Sequence, residues 1–557
     1  MKERRPKDAV TRRRFLKGAA ATGGAFAAVA TLGRPAASQT TSGPAATKWD
    51  RETDVIIVGS GAAGLSAAVE AADGKAQVIV LEKMPAVGGC SRVSGGNYGS
   101  YNTPVQQKAA EKDPKRFAND SPDLYCKEKL FLGGYLNDPA LVRIFADHAL
   151  DGYNWLTGLG FTHDGIRFYS SLGPNPMPQN PKAMYLNMLW NTPFTNGAWE
   201  GPFSKGRHHT GGKYLNFING EAGVMCLADN ARKRGVQVLT QMEVLEIVRT
   251  GGLSGEVLGV KVKDMAQNAE IFIRAKRGVV LAAGGFTANG KMCNRYDPRL
   301  NPAVRGSGAA SPGAAGAGCT GEALLAAMDI GADAALMHMQ QLRMSGSAVA
   351  YSGPGSTLVA EKDGTYIDVD PQGNRFWMEG GDQAVYREAR LTVLHEKGFH
   401  QWWGICDSKG ANRAYIRGAI EAKSALVADT LPQLAAIINV PATNLVETVS
   451  RYNKFVDQNS DEDFGQFKEN LKQRIEAGPF YAMPKTYYRH HSLGGLRINV
   501  SSQVLDRRDR VIPRLYAAGE ITGNVHGWER NGGCGWTDCV VFGRIAGKRV
   551  AGEAPRI

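Results

Sequence analysis

The sequence predicts an α/β fold, a doubly wound parallel sheet assembled from both ends of the chain and interrupted by an inserted α+β segment. Three stretches carry that expectation. Residues 54–82 read as strand, glycine turn, helix and strand; an apolar strand ends at Ala283-Gly284-Gly285; a third ends at Gly519-Glu520. Strands separated by helices in this order form parallel sheets whose ligand crevice lies at the strand ends.

The first stretch is the most specific. Val55, Ile56, Ile57 and Val58 run into Gly59-x-Gly61-Ala62-Ala63-Gly64, a small-residue helix follows, and a strand at 78–81 ends in Glu82. Such a turn brings backbone close to a pyrophosphate at a helix N-terminus, and an acid eighteen residues after Gly64 can accept from a ribose hydroxyl. A lone glycine turn is common and purely structural; framed by strand, helix and acid it points to a dinucleotide. Lys83 and the turns Gly89-Cys90-Ser91 and Ser94-Gly95-Gly96 continue the same path. Val244 opens a strand in the second run, and Ala283, Gly284, Gly285 and Gly519 give later close approaches, with Glu520 facing a ribitol or ribose hydroxyl. Three glycine-ended strands spread over some 460 residues imply one FAD in a Rossmann-type domain with another domain inserted.

At 557 residues the chain exceeds the ~250–300 at which single cores stop growing, so two domains plus appendages are expected. The net charge of +13 is concentrated at the N-terminus, where residues 1–38 hold nine Lys/Arg and two Asp/Glu. The remaining +6 is a mild bias that gives no support to nucleic-acid binding. Thr11-Arg12-Arg13-Arg14-Phe15-Leu16-Lys17, the weakly apolar run 18–32 and Pro35-Ala-Ala-Ser38 read as a twin-arginine signal peptide over 1–38, with a linker at 39–52. An uncleaved anchor is the alternative, but the run falls short of the ~20 apolar residues that span a bilayer. The expected location is the periplasm, without a stable membrane anchor.

Eight cysteines show no paired spacing beyond Cys534/Cys539, and most read as buried thiols. There is no C-x-x-C-H and no cluster with metal spacing, so neither haem nor metal is expected on this chain. Electrons must be exchanged with another molecule. Residues 137–158 predict an amphipathic helix in which His148 is surface or core. Residues 160–215 crowd aromatics, Met, Asn and Pro without periodicity, and read as a long ordered loop, either a substrate-pocket wall or a subunit contact. It ends in a turn at His208-His209-Thr210-Gly211-Gly212, where two adjacent histidines lack a third metal ligand.

The order VGSGAAG, LEK-x7-S, NDPALV, LAAGGF, HSLGG and LYAAGEITGNVHGWERNGG resembles the fumarate reductase/succinate dehydrogenase flavoprotein superfamily. The soluble exported branch with flavocytochrome c fumarate reductases and urocanate reductase is the most similar, and 3-ketosteroid dehydrogenases are more distant. The resemblance implies an FAD-binding domain at 53–340 and 491–557 and a capping domain at 341–490 that closes over the substrate. A haem domain is missing, so a small cytochrome c or quinol-linked protein would supply electrons.

The resemblance also implies the site. Arg530 in Val525-His526-Gly527-Trp528-Glu529-Arg530 matches the arginine that grips a substrate carboxylate, and His491 the histidine that helps hold it; His526 belongs to the same motif. A helix beginning near Gly533 would aim its amides at the flavin. The capping segment departs from the pattern. Ser345 stands where the family has histidine, and Gln383 where it has the proton-donating arginine. Tyr386 and Arg387 are candidate donors after a shift of one helical turn, and Tyr351 or Arg343 are others. Relatives with covalent flavin use a histidine near Gly89-Cys90-Ser91, and no His occurs between residues 50 and 147, so non-covalent FAD is expected. These features imply reduction of the C=C bond of an unsaturated acid; the runner-up is dehydrogenation next to a carbonyl, with an enone as the corresponding ligand. The lost clamp at Ser345 and the aromatic loop favour one carboxylate and a larger, less polar remainder.

Overall fold

In a computed structural model the chain is described over residues 48–167, 205–306, 315–347, 366–379, 383–410, 420–421, 425–466 and 468–556. The expected signal peptide at 1–38, most of the expected linker, Tyr351 and the core of the aromatic segment lie outside these residues. Strand Arg51–Val58, helix Ala62–Asp73 and strand Val78–Glu82 form the expected βαβ unit. The strand's apolar run is buried without remainder, with Val55, Ile56 and Ile57 at 0% exposure. Burying each such side chain stabilises by roughly 1.5–3 kcal/mol, which is why an unbroken β-branched run becomes an interior strand.

The main sheet has eight strands. Its path runs Gln503–Leu505, Val511–Ala517, Ala269–Leu281, Arg51–Val58, Val78–Glu82 and Gln237–Thr240, with Val257–Asp264 pairing on Ala269–Leu281 and Met242–Arg249 on Val257–Asp264. The three glycine-ended strands are therefore neighbours and parallel. Val58 pairs with Leu281, and Leu281 with Ala517, so their ends are in register. The glycines that follow have positive φ, +101° at Gly59, +75° at Gly284 and +76° at Gly519.

Helix Cys534–Ala551 covers this sheet beside helix Ala62–Asp73. A Cβ on Gly543 would lie 2.5 Å from the Ala63 oxygen, and one on Gly547 2.3 Å from that of Ala67. Two glycines four residues apart thus let the helices touch along their backbones. Helix Pro139–Leu159 packs on the same layer; Asp138 caps it by accepting from the Ala140 amide, and His148 is exposed.

Sequence and structure differ between 160 and 215. Its described ends are strands, Thr162–Arg167 and His208–Tyr214, paired antiparallel with His163 opposite Gly212. Glycines at 165, 211 and 212 interrupt the apolar alternation that marks a strand, so the pairing left no periodic trace. His208 and His209 therefore sit on a strand and not a turn. His209 is fully buried, bonds Thr103 Oγ1 at 2.6 Å, and burial depresses its pKa to about 3. Among the described residues no group of three or more His, Cys, Asp or Glu is placed to hold a metal ion, and no helix is long and apolar enough to cross a membrane.

A second sheet of five strands is antiparallel throughout. Gln340–Ser347, Phe480–Ser492, Gln401–Cys406 and Ile367–Val369 lie in that order, with Leu426–Ala428 on Phe480–Ser492. Helices Leu431–Ile438 and Ala442–Gln458 bury Leu434, Leu445 and Tyr452 against Ile367, Val369 and Ile405. One edge of this packing holds a buried ion cluster. Arg375 Nη2 lies 2.7 Å from Glu379 Oε2 and 2.9 Å from Asp461 Oδ2, and the guanidinium rests over Tyr452.

Breaking that cluster from one side strands two buried carboxylates. Arg375→Met is expected to lower the unfolding free energy by ~3–5 kcal/mol, read from the urea midpoint at unchanged m-value; an unshifted midpoint contradicts this account.

Candidate active site

The glycine row ends in a crevice whose walls can be read one residue at a time. Gly59 and Gly64 are packed shut, since a Cβ would come within 2.4 Å of the Ala282 oxygen at Gly59 and 2.0 Å of the Gly59 oxygen at Gly64. Gly61 is different. The nearest atom to its Cβ position is Ser91 Oγ at 3.5 Å, and Gly89 has nothing within 4 Å. The first two glycines serve the fold, whereas Gly61 and Gly89 leave open space at the N-terminus of the helix that begins with Ala62 and Ala63. That is the cradle a pyrophosphate requires, and the residues fit an FAD.

The neighbouring predicted residues are placed as follows. Glu82 accepts from the Ser60 amide at 3.0 Å, Ser60 Oγ at 2.6 Å and the Met84 amide at 2.8 Å, so it braces the glycine turn as well as facing the crevice. Lys83 Nζ reaches Thr320 Oγ1 at 2.5 Å and Glu322 at 3.0 Å. Ser91 Oγ accepts from the Ala62 amide at 3.1 Å. Gly96 lies below Gly95 with φ +60° and accepts from His163 Nε2 at 2.9 Å. Val244 is a core residue paired with Val262. Ala283 leads into Gly284 and Gly285, where a Gly285 Cβ would meet Glu520 Oε1 at 2.5 Å. Gly533, at φ +86°, starts helix Cys534–Ala551.

Glu520 is tied to the neighbouring histidine strand. Its carboxylate accepts from the Ser492 amide at 2.9 Å and lies 3.0 Å from His491 Nδ1, so it orients the histidine. Burial and the adjacent Arg530 charge keep the His491 pKa low despite Glu520. Its Nε2 is buried and has no hydrogen-bond partner. Arg530 stands alongside. Its Nη2 donates to His490 Nε2 at 3.4 Å, its Nη1 to the Asn531 oxygen at 3.4 Å, and Nε is buried without a partner. Burial and the Arg343 charge lower its pKa. Among the described residues no carboxylate lies within salt-bridge distance of this guanidinium, which leaves it ready for an anion.

His490 escaped the sequence reading because strand alternation puts neighbours on opposite faces. The strand Phe480–Ser492 breaks that rule here: Gln341 pairs with His491 but Leu342 with Arg489, leaving His490 as an extra residue. This β-bulge re-aims its side chain, so His490 meets Arg530 while His491 meets Glu520. Gln341 and Glu529 were also missed; Gln341 Nε2 donates to the Arg530 oxygen at 3.0 Å and to Glu529.

His526 lies behind His491, their ring centroids 5.6 Å apart, and not at an open wall. Lys129 Nζ donates to its Nδ1 at 2.5 Å, and Asp538 Oδ2 lies 3.5 Å from its Nε2. A lysine and an aspartate buried around one imidazole carry no sequence signal, since each sits alone in its own helix pattern. The Arg530 loop is anchored through Asn531, which donates to Glu128 at 2.8 Å; Glu128 and Asp120 in turn hold the buried Arg207. The side chains of Ser345, Gln383, Tyr386 and Arg387 lie outside the described residues. Arg343 is on strand Gln340–Ser347, opposite Tyr488, close enough for its charge to act on His490 and Arg530.

Comparison with known proteins agrees with this geometry. The family model described as FAD binding domain matches residues 54–536. A fumarate reductase (cytochrome) of Shewanella frigidimarina is 31% identical over 89% of this chain and 77% of its own length. An acrylate reductase flavoprotein subunit of Shewanella woodyi is 28% identical over 97% of this chain and 98% of its own. The open conformation of a flavocytochrome c3 fumarate reductase superposes with a TM-score of 0.72 at 26% identity, covering 99% of this chain and 82% of that one.

Asp538 gives the site a measurable signature. Burial raises its pKa from 3.8 to about 7, and Oδ1 has no partner. Between those values the folded protein keeps a proton that the unfolded chain has lost, so this carboxyl erodes stability as pH rises through that window. Relative to wild type, Asp538→Asn is expected to gain stability from pH 4 to pH 7, by at most ~1.4 kcal/mol per unit, and to level off above. A pH-independent difference in unfolding free energy contradicts the assignment.

Proposed function

The chain belongs to the FAD binding domain family as an FAD-dependent oxidoreductase acting on C=C groups, and on that premise we propose that it reduces the double bond of an unsaturated carboxylate with electrons from a separate redox partner. The observation that carries the reading is Arg530, a half-buried guanidinium whose Nε is covered and unpartnered, with no carboxylate at salt-bridge distance among the described residues. A planar guanidinium takes a carboxylate through two parallel bonds and so fixes the conjugated double bond relative to the crevice.

Bound FAD, once reduced, supplies the hydride. The chain's own residues hold and orient the substrate. Arg530 binds the carboxylate, while Glu520 fixes the His491 ring through Nδ1 and leaves Nε2 toward the ligand. An arriving carboxylate favours the imidazolium form, so binding draws a proton onto His491. Asn531, Glu128 and Arg207 keep the arginine loop in place.

A separate electron donor is supported by the extent of the relatives. The chain spans 77% of the cytochrome-type fumarate reductase but 98% of an acrylate reductase flavoprotein subunit, and it has no C-x-x-C-H. The donor class is a small cytochrome c or quinol-linked protein. Thr11 to Lys17 supports export to the periplasm by the twin-arginine route. The FAD is held non-covalently, for no histidine lies between residues 50 and 147.

Arg530→Met is expected to lose ~3 kcal/mol or more of transition-state stabilisation, about 100-fold or more in kcat/KM with reduced viologen and an enoate, while FAD stays bound. Unchanged kinetics contradict the carboxylate role. Acid precipitation should release all the flavin into the supernatant; colour retained by the pellet would show a covalent link. A substrate series from fumarate to a cinnamate-like acid tests the ligand class, and a preference for the aryl acid is expected from the loss of a histidine at Ser345.

A further inference from the structure

Of the eight cysteines, Cys126 is half-buried on helix Pro122–Leu132 and five more behave as ordinary interior thiols. Cys226 donates to the Leu159 oxygen at 3.3 Å, Cys293 to the Phe286 oxygen at 3.4 Å, and Cys534 meets Tyr125 Oη at 3.4 Å; Cys406 is buried in the second sheet's packing and Cys539 lies under Gly519. The two remaining sulfurs face each other. Cys90 Sγ and Cys319 Sγ are 3.0 Å apart, a contact between two free thiols longer than the ~2.05 Å of an S–S bond, although the residues are separated by 229 positions.

Their location gives the contact meaning. Cys90 is in the short helix Gly89–Arg92, next to Ser91, which takes the Ala62 amide, and Gly88, whose amide donates to Ser60 Oγ. Cys319 is in the turn before helix Glu322–Asp329; its oxygen accepts from the Ala288 amide, and its Sγ lies 3.1 Å from where a Gly284 Cβ would stand. The pair therefore joins the wall that carries Gly89 to the wall that carries Gly284, across the mouth of the cofactor cradle.

We propose that Cys90 and Cys319 form a redox-reversible disulfide clasp over the FAD cradle, a covalent modification site of this chain. With a low-molecular-weight disulfide as oxidant the step balances: the two thiols give up two protons and two electrons, the Cys90–Cys319 bond forms, the oxidant's S–S bond breaks, and its two sulfurs leave as thiols. The Cys319 hydrogen bond and burial hold the Cys90 pKa well above the usual thiol value, so little thiolate is present at neutral pH and exchange accelerates in alkali.

The test uses the FAD-loaded protein incubated with oxidised glutathione at pH 8.5, quenched with acid and digested. The expected result is loss of two of the eight thiols, one peptide pair joining Cys90 to Cys319, and slower FAD release on dilution than from the reduced protein. Cys90→Ser and Cys319→Ser should each abolish the joined peptide, and dithiothreitol should restore all eight thiols in wild type. Persistence of eight thiols, a glutathione adduct on Cys90 in place of the joined peptide, or a disulfide mapped to other positions overturns the proposal. Equal FAD release from the two forms overturns the clasp.

Discussion

The register of three parallel strands is the constraint on which the rest of the molecule depends. Val58, Leu281 and Ala517 end side by side, and each strand turns away at a glycine one to three residues later. Glycine is required there because positive φ is costly for other residues and because an added Cβ would lie 2.4 Å from the Ala282 oxygen at Gly59, 3.1 Å from Cys319 Sγ at Gly284 and 2.8 Å from Ala63 Cβ at Gly519. Much of the candidate site hangs from this edge: the helix N-terminus at Ala62, Glu520 after the third strand, and through Glu520 the ring of His491.

The protein buries charge around both of its larger sheets, and the pairing decides what each charge can do. Arg207 sits between Asp120 and Glu128, and Arg375 between Glu379 and Asp461; both are neutralised and hold segments in place. Arg530 is the contrast, half-buried beside Arg343 with its own carboxylates, Glu520 and Glu529, engaged elsewhere. Lone buried charge is expensive unless a ligand completes it, so the cost is stored where binding can recover it.

How much of this could be read from the sequence follows from which forces leave a periodic trace. The βαβ unit was legible because its apolar runs and glycine spacing report burial directly, and the C-terminal helix through the motif that precedes it. Arg530 and His491 were legible through the motif around them. His490 was not, because one extra residue in a strand reverses the expected face without changing the composition. Glu82 and Glu520 were found, but their ties to Ser60, Met84, Ser492 and His491 depend on long-range placement. The strands Thr162–Arg167 and His208–Tyr214 were obscured by glycine, and Cys90 and Cys319 by their distance along the chain.

The thirteen-residue strand Phe480–Ser492 belongs to the second sheet along most of its length, yet its last residues lie against the glycine row, where Ser492 Oγ accepts from the Phe286 amide at 3.1 Å. Outside the bulge at His490 the side chains of this strand keep a two-residue phase, and pairing fixes that phase along its length. A single insertion or deletion between Tyr481 and Arg489 would exchange which histidine meets Arg530. The number of residues in this strand, more than the identity of any one of them, therefore sets which side chain faces Arg530.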